Sequence, residues 1–171
     1  PGDVLVVDIL DIKVADAVTG GTMEGCGPLA DTADLQVKKV PIKDGFAEFN
    51  GIKFPIDPML GVIGTAPAGE GIMCGSPGLH GGNMDCKRIG AGATLYLPVN
   101  VEGALLAMGD LHAVMGDGEV CVCGAEIAGA VTVRVSVVKG QPLPLPFLVT
   151  KEHAMAIYSA EGLGAAAEAA T

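Results

Sequence analysis

Apolar and polar positions along this chain alternate in short bursts rather than in helical turns. Residues 3–14, DVLVVDILDIKV, are rich in β-branched side chains and partly alternating, with Val4, Val6, Ile9 and Ile12 as apolar positions, and predict a strand. The clearest alternation comes late. Val131, Val133, Val135 and Val137 fall on one face and Thr132, Arg134 and Ser136 on the other. Residues 35–42, 46–50 and 52–56 predict short strands, separated by the hairpin signals Lys43-Asp44-Gly45 and Asn50-Gly51. Residues 93–101 predict a strand that Pro98 moves to an edge or a bulge. Residues 119–129, EVCVCGAEIAG, also read as a strand. The run ALLAMGDLHAVM, 104–115, fits a helix or a buried strand, and Gly109 in its middle tips it toward a buried strand.

Between these bursts lie stretches without periodicity. Residues 19–34 and 71–85 are glycine-laced and predict long loops, a length that points to function or disorder. Residues 140–149 predict a proline-punctuated extended stretch. Only 159–170, SAEGLGAAAEAA, has helix composition, with Ser159 as its cap. The expected fold is mainly β: sandwich- or barrel-like, with short strands, long glycine-rich loops and a little helix near the C-terminus.

Composition narrows the function. The chain has 171 residues, enough for one domain with a core, and no apolar run reaches the ~20 residues of a spanning helix. A formal net charge of −10 argues against nucleic acid and anionic membranes as partners. Five cysteines, an odd number, fit buried thiols in a reducing cytoplasm better than a disulfide scaffold. In an extended segment Cys121 and Cys123 would face the same way. The chain opens on Pro1 and ends inside an alanine-rich pattern, so residues 1–171 are expected to be one domain within a longer protein.

The scarce polar chemistry is gathered in two clusters, HGGNMD at 80–85 and DLHAVMGDGE at 110–119. In a strand, Asp110 and His112 point the same way and offer a carboxylate and an imidazole to one metal. His80 and Asp85 flank glycines that permit close backbone approach. Glu119 is placed to act as a general base. Plainer readings stand beside these: HGGN and GDGE are ordinary turn sequences. Cys74 or Cys86 near His80 is a minor route to a thiol–imidazole pair. Ser76 lacks the Gly-x-Ser-x-Gly elbow, and neither a phosphate loop nor a dinucleotide fingerprint is present. His153 reads as an ordinary surface residue.

The segments PGDVLVVDILDIKV, FPIDPMLGVIGTAPAGE, GSPGLHGGNMD and GATLYLPVNVEGALLAMGDLHAVMGDGEV resemble the acetamidase/formamidase family, in the same order and at similar spacing. The resemblance implies hydrolysis of short aliphatic amides to a carboxylic acid and ammonia. It also implies a homo-oligomer and a divalent metal, zinc first and calcium as a second ion. It carries over seven positions: His80, Asn83, Asp85, Asp110, His112, Asp117 and Glu119. The expected roles are His80, Asp85, Asp110 and His112 as metal ligands and Glu119 as general base. Asn83 is expected at the oxyanion and Asp117 as the alternative base. The rival expectation is a non-catalytic ligand-binding or assembly β-module whose clusters are turns. Members of the family extend further at both ends.

Overall fold

The computed structural model describes residues 1–28, 31–32 and 34–171. Positions 29, 30 and 33 of the loop predicted over 19–34 lie outside the described residues. The chain is mainly β, as expected, and every strand pair is antiparallel.

One sheet of five strands runs in the order β11 (Gly129–Val138), β1 (Val4–Val14), β9 (Thr94–Pro98), β12 (Phe147–Val149), β13 (Ala154–Ala156). The register of β1 against β11 shifts between Ile9 and Asp11. That irregularity lets Ile9 and Ile12 both turn inward, although strict alternation would place them on opposite faces. The unmatched residue, Leu10, is turned out to water. The partial alternation of the opening run is thus the signature of a bulge. On the other side, β9 is a central strand. Pro98 is its last residue, so it removes no N–H from the middle of a ladder, and its carbonyl accepts the Thr65 hydroxyl at 2.7 Å. The edge position or bulge expected of Pro98 is therefore corrected.

A second sheet runs β10 (Ala107–His112), β6 (Met59–Gly64), β8 (Gly81–Asn83), β7 (Pro77–Gly78). The ambiguous run around Gly109 is a strand only over Ala107–His112, and the expectation that it is buried is corrected. Of that strand only His112 is buried, because Asp110 lines a cleft, Ala107 is exposed and the rest are half-covered. The loop expected over 71–85 contains two short strands. Leu5, Val7 and Ile9 of β1, Leu95 and Leu97 of β9, Leu148 of β12, and Leu60 and Ile63 of β6 form one buried apolar layer between these sheets. Burying each such side chain is worth roughly 1.5–3 kcal/mol before entropy is counted.

A third sheet, β2 (Ala17–Thr22), β3 (Gln36–Lys43), β4 (Phe46–Phe49), β5 (Ile52–Pro55), closes around Val18, Val40 and Ala47. Its hairpins turn at Asp44-Gly45 and Asn50-Gly51, with all four residues at positive φ, as tight two-residue hairpins require. The second part of β2, residues 19–22, falls in the stretch expected to be loop.

Residues 119–129 do not form the expected strand. Glu119–Val122 is a turn closed by the Val122 N–H on the Glu119 carbonyl at 2.8 Å, so Cys121 and Cys123 do not sit on one extended face. Past the turn, Glu126 bridges to Thr19 of β2 and to His112 of β10, joining the second and third sheets. The only helix among the described residues is α1 (Leu163–Ala169). Its N-cap is Gly162, without a side-chain cap, rather than Ser159.

Candidate active site

The site is built where β6, β8 and β10 adjoin the bridge at Glu126. Gly61 of β6 sits between Asp110 on one neighbouring strand and Asp85 just beyond the other; the Met84 and Asp85 N–H groups approach its carbonyl at 3.1 and 3.3 Å. A Cβ at position 61 would strike Asp110 Oδ2 and come within 2.8 Å of Asp85 Oδ1. The missing side chain is the space in which the two carboxylates converge.

His112 lies at the centre and is 1% exposed. Its Nε2 is 3.3 Å from Glu126 Oε2, 3.6 Å from Asp110 Oδ1 and 3.8 Å from Glu119 Oε1. The opposite edge of the ring, at Nδ1, lies against Gly124, where a Cβ would come within 2.7 Å. One ligand atom each from Asp85, His112 and Glu119 lie within 4.8 Å of one another, and so do atoms from Asp110, His112 and Glu126.

Backbone geometry marks the same residues. Asp85, Asp110 and Glu119 are all at positive φ (42°, 55° and 41°). Such residues cost of order 1–3 kcal/mol each and persist where the surroundings over-determine them. Three of the four acids around His112 are held this way.

The charges act on one another. Burial pushes the His112 imidazole down, but the hydrogen bond to Glu126 and the charges of Glu126, Asp110 and Glu119 outweigh it, and the net shift is upward. Glu126 is also penalised by burial, yet the His112 bond and charge, with the Gly124 N–H, hold it below the usual carboxylate range. Its Oε1 accepts that N–H at 2.9 Å. Burial raises Glu119, and Asp85 raises it further. Burial likewise raises Asp85.

The residues singled out in the sequence divide. Asp85, Asp110, His112 and Glu119 meet. Asn83 joins Asp110, Glu119 and Glu126 in the lining of one cleft of about 360 Å³. His80 is buried but belongs to neither ligand group; its ring lies against Gly78 and Gly82, and burial lowers its pKa. With no hydrogen-bond partner on its Nδ1, no thiol–imidazole pair forms through that atom. Asp117 pairs with Lys87 at 2.9 Å, and its side chain is 85% exposed. His153 is exposed. Glu126 was missed. Its one signal in the sequence is that no other charged residue stands between Glu119 and Arg134.

The donor set fits a divalent cation. One imidazole and several carboxylates are the hard and borderline ligands such ions take. Asp85 Oδ1 and Asn83 Oδ1 are buried without a hydrogen-bond partner, which is costly unless a cation or a polar ligand satisfies them.

Architecture and site together make this an antiparallel β protein with a carboxylate–histidine centre at the junction of two sheets. The chain belongs to the acetamidase/formamidase family, whose sequence model matches residues 68–160. It is 45% identical over 73 residues to the formamidase of Methylophilus methylotrophus, covering 42% of this chain and 18% of that one. It superposes on a predicted acetamidase/formamidase of Thermoanaerobacter tengcongensis with a TM-score of 0.96 at 51% identity, covering 99% of this chain and 57% of the other. Against the acetamidase of Bacillus halodurans the TM-score is 0.94 at 51% identity, over 98% and 58% of the two chains. The match thus spans less than a fifth of the Methylophilus formamidase and rather more than half of the two solved chains.

Proposed function

We propose that this protein hydrolyses the C–N bond of small amides such as formamide or acetamide to a carboxylic acid and ammonia, with the help of a divalent metal. The observation that carries the reading is the convergence of Asp110, Glu119 and Glu126 on the buried Nε2 of His112, within 3.8 Å. The family membership agrees with it.

Asp110, His112 and Glu126 would hold the ion. His112 and Glu126 are the most firmly placed of these, one by burial against Gly124 and the other by hydrogen bonds at both carboxylate oxygens. A divalent ion held there, zinc by its affinity for His and carboxylate donors, would supply a water made nucleophilic near neutral pH and a Lewis acid for the carbonyl. The chain's own groups do the rest. Glu119 and Asp85 form a carboxylate pair: burial raises both, the charge of Asp85 raises Glu119 further, and a side-chain hydrogen bond between them keeps one proton close by. Glu119 accepts the proton of the attacking water and returns it to the leaving nitrogen. The Asn83 amide N–H donates to the developing oxyanion. Asp85 is thereby read as a proton partner rather than a ligand, Asp117 remains outside the chemistry, and His80 supports the hairpin that carries Asn83.

The reading extends to a homo-oligomer, supported by the exposed Val135 and Val137 on the edge strand β11. It extends also to a cytoplasmic setting, supported by five free cysteines. Among the described residues no helix is long and apolar enough to cross a membrane.

The test is ammonia release from formamide and acetamide by the purified protein, with and without a chelator, beside metal analysis. Turnover that the chelator abolishes and one added divalent metal restores is the expected result. A metal-free folded protein that releases no ammonia would instead favour a ligand-binding β-module.

A further inference from the structure

The cleft that opens onto the site is lined by two unlike kinds of residue. Asn83, Asp110, Glu119 and Glu126 give its lining a polar part, and Met23, Leu35, Val37 and Val122 give it an apolar part. The apolar part follows from strand register. Val18 of β2 and Val40 of β3 are cross-strand partners and both turn into the core. By alternation, Thr19 and Gly21 of β2 and Val37 of β3 turn the other way, toward the cleft. Gly21 is the direct partner of Val37 and has no side chain to cover it. Position 21 is also closed to larger residues, because a Cβ there would strike the Gln36 carbonyl. Leu35 and Val37 are consequently 66% and 68% exposed, beside an acidic catalytic centre. Val122 stands on the turn that carries Glu119 and is held at φ 60°, a strained backbone for a β-branched residue.

Large apolar side chains grouped at the rim of a polar cleft mark a binding surface. The cleft, about 360 Å³, is far larger than formamide or acetamide needs. The geometry points to an acyl subsite: Leu35, Val37 and Val122 receive the apolar acyl group of the substrate, so the preferred amides carry acyl chains longer than acetyl. This rests on the amidase reading. With the amide carbonyl at Asn83 and the water proton at Glu119, the acyl substituent has the apolar part of the lining to receive it. Each methylene that leaves water contributes roughly a fourfold gain in affinity if fully buried.

The experiment is a ladder of kcat/KM for formamide, acetamide, propionamide, butyramide and hexanamide in the purified, metal-loaded protein. A rise of about tenfold from acetamide to butyramide is expected, flattening once the chain fills the cleft. In the Leu35→Ser, Val37→Ser double variant the butyramide-to-acetamide ratio should fall toward one. Val122→Ser, on the turn that carries Glu119, should lower it in the same direction. A ratio taken within one preparation is independent of how much of it is folded or metal-loaded. A ladder that is flat or falls with chain length overturns the acyl subsite while leaving the amidase reading standing. So does a steep ladder that neither variant changes, which would place the chain elsewhere. If no amide is turned over under any metal, the amidase reading fails and the subsite with it.

Discussion

His112 Nε2 and Glu126 Oε2 lie 3.3 Å apart, and the backbone bridge between the same two residues joins β10 to the segment that pairs with β2. The contact that sets the charge of the site is also the one that closes the fold around it. Glu126 is ionised and fixed at both oxygens, and it offsets the desolvation of an imidazole that burial alone would hold neutral.

Glu126→Gln therefore has a readable signature in the metal-free protein. The His112 pKa is raised in the folded state, so the pairing contributes stability that is complete below the unfolded-state value near 6.5 and is lost as pH rises through the folded value. Removing the carboxylate leaves burial as the largest influence, and the His112 titration followed by NMR should move downward. Metal affinity should fall as well, since Glu126 is among the proposed ligands. An unmoved titration would mean that the other acids hold the imidazole.

Glu119→Gln separates proton transfer from metal binding. The swap keeps shape and removes the proposed base, so amidase activity should drop about 10²–10⁴-fold while metal content, measured by elemental analysis, stays near that of the parent. Asp110→Asn should lose metal and activity together and recover partly when metal is added in excess. Stripping of the metal by Glu119→Gln would make Glu119 a ligand and leave Asp85 as the next candidate base.

Gly61→Ala tests the space over β6. A methyl group there meets two carboxylates at once, so bound metal and activity should both fall at least tenfold, with a stability loss of about 1–3 kcal/mol from overpacking. Gly109→Ala lies on the paired strand opposite Val62, where a Cβ meets nothing within 4 Å, and should keep both. Equal behaviour of the two variants, by calorimetry and metal analysis, would count against the crowded-carboxylate account.

Far from the site, Asp8 ties three strands. Its Oδ1 accepts the Thr94 hydroxyl at 2.7 Å from β9, and its Oδ2 accepts Arg134 Nε at 3.0 Å from β11. The Thr94 bond first and the Arg134 bond second hold its pKa below the ordinary 3.8. Its contribution to stability is therefore present above the unfolded value and lost as pH falls through the lower folded value. Thr94→Val should move acid unfolding, followed by circular dichroism, to higher pH. Arg134→Ala should do so less, because the Arg134 side chain is exposed and its pairing is screened by solvent.

Much of this structure is written locally. Residues 3–14 already show apolar positions whose spacing slips, and the slip is the bulge in β1. Asp44-Gly45 and Asn50-Gly51 define their hairpins because positive φ at two successive residues is a local demand that few residue types meet. The Asp110 and His112 pair was also legible, since residues two apart on a strand share a direction. The stretch 119–129 was misread as a strand because its apolar, β-branched composition hides a turn built on Glu119 and Val122 at positive φ, conformations their residue types do not advertise.

The sequence by itself determined that this chain would be a β protein, where its hairpins turn, and which two clusters hold its polar chemistry. The tertiary structure alone decided which of those polar residues meet. It brought Glu126 from an apolar stretch to His112, set Asp85 against Asp110 over the bare α-carbon of Gly61, put the His80 ring between two glycines, and left Asp117 paired with Lys87 in solvent. The reason is physical. Turn and strand preferences are settled by neighbours in sequence, whereas the distance between two carboxylates on different strands is fixed by register, by sheet bridging and by the side chain that is absent between them.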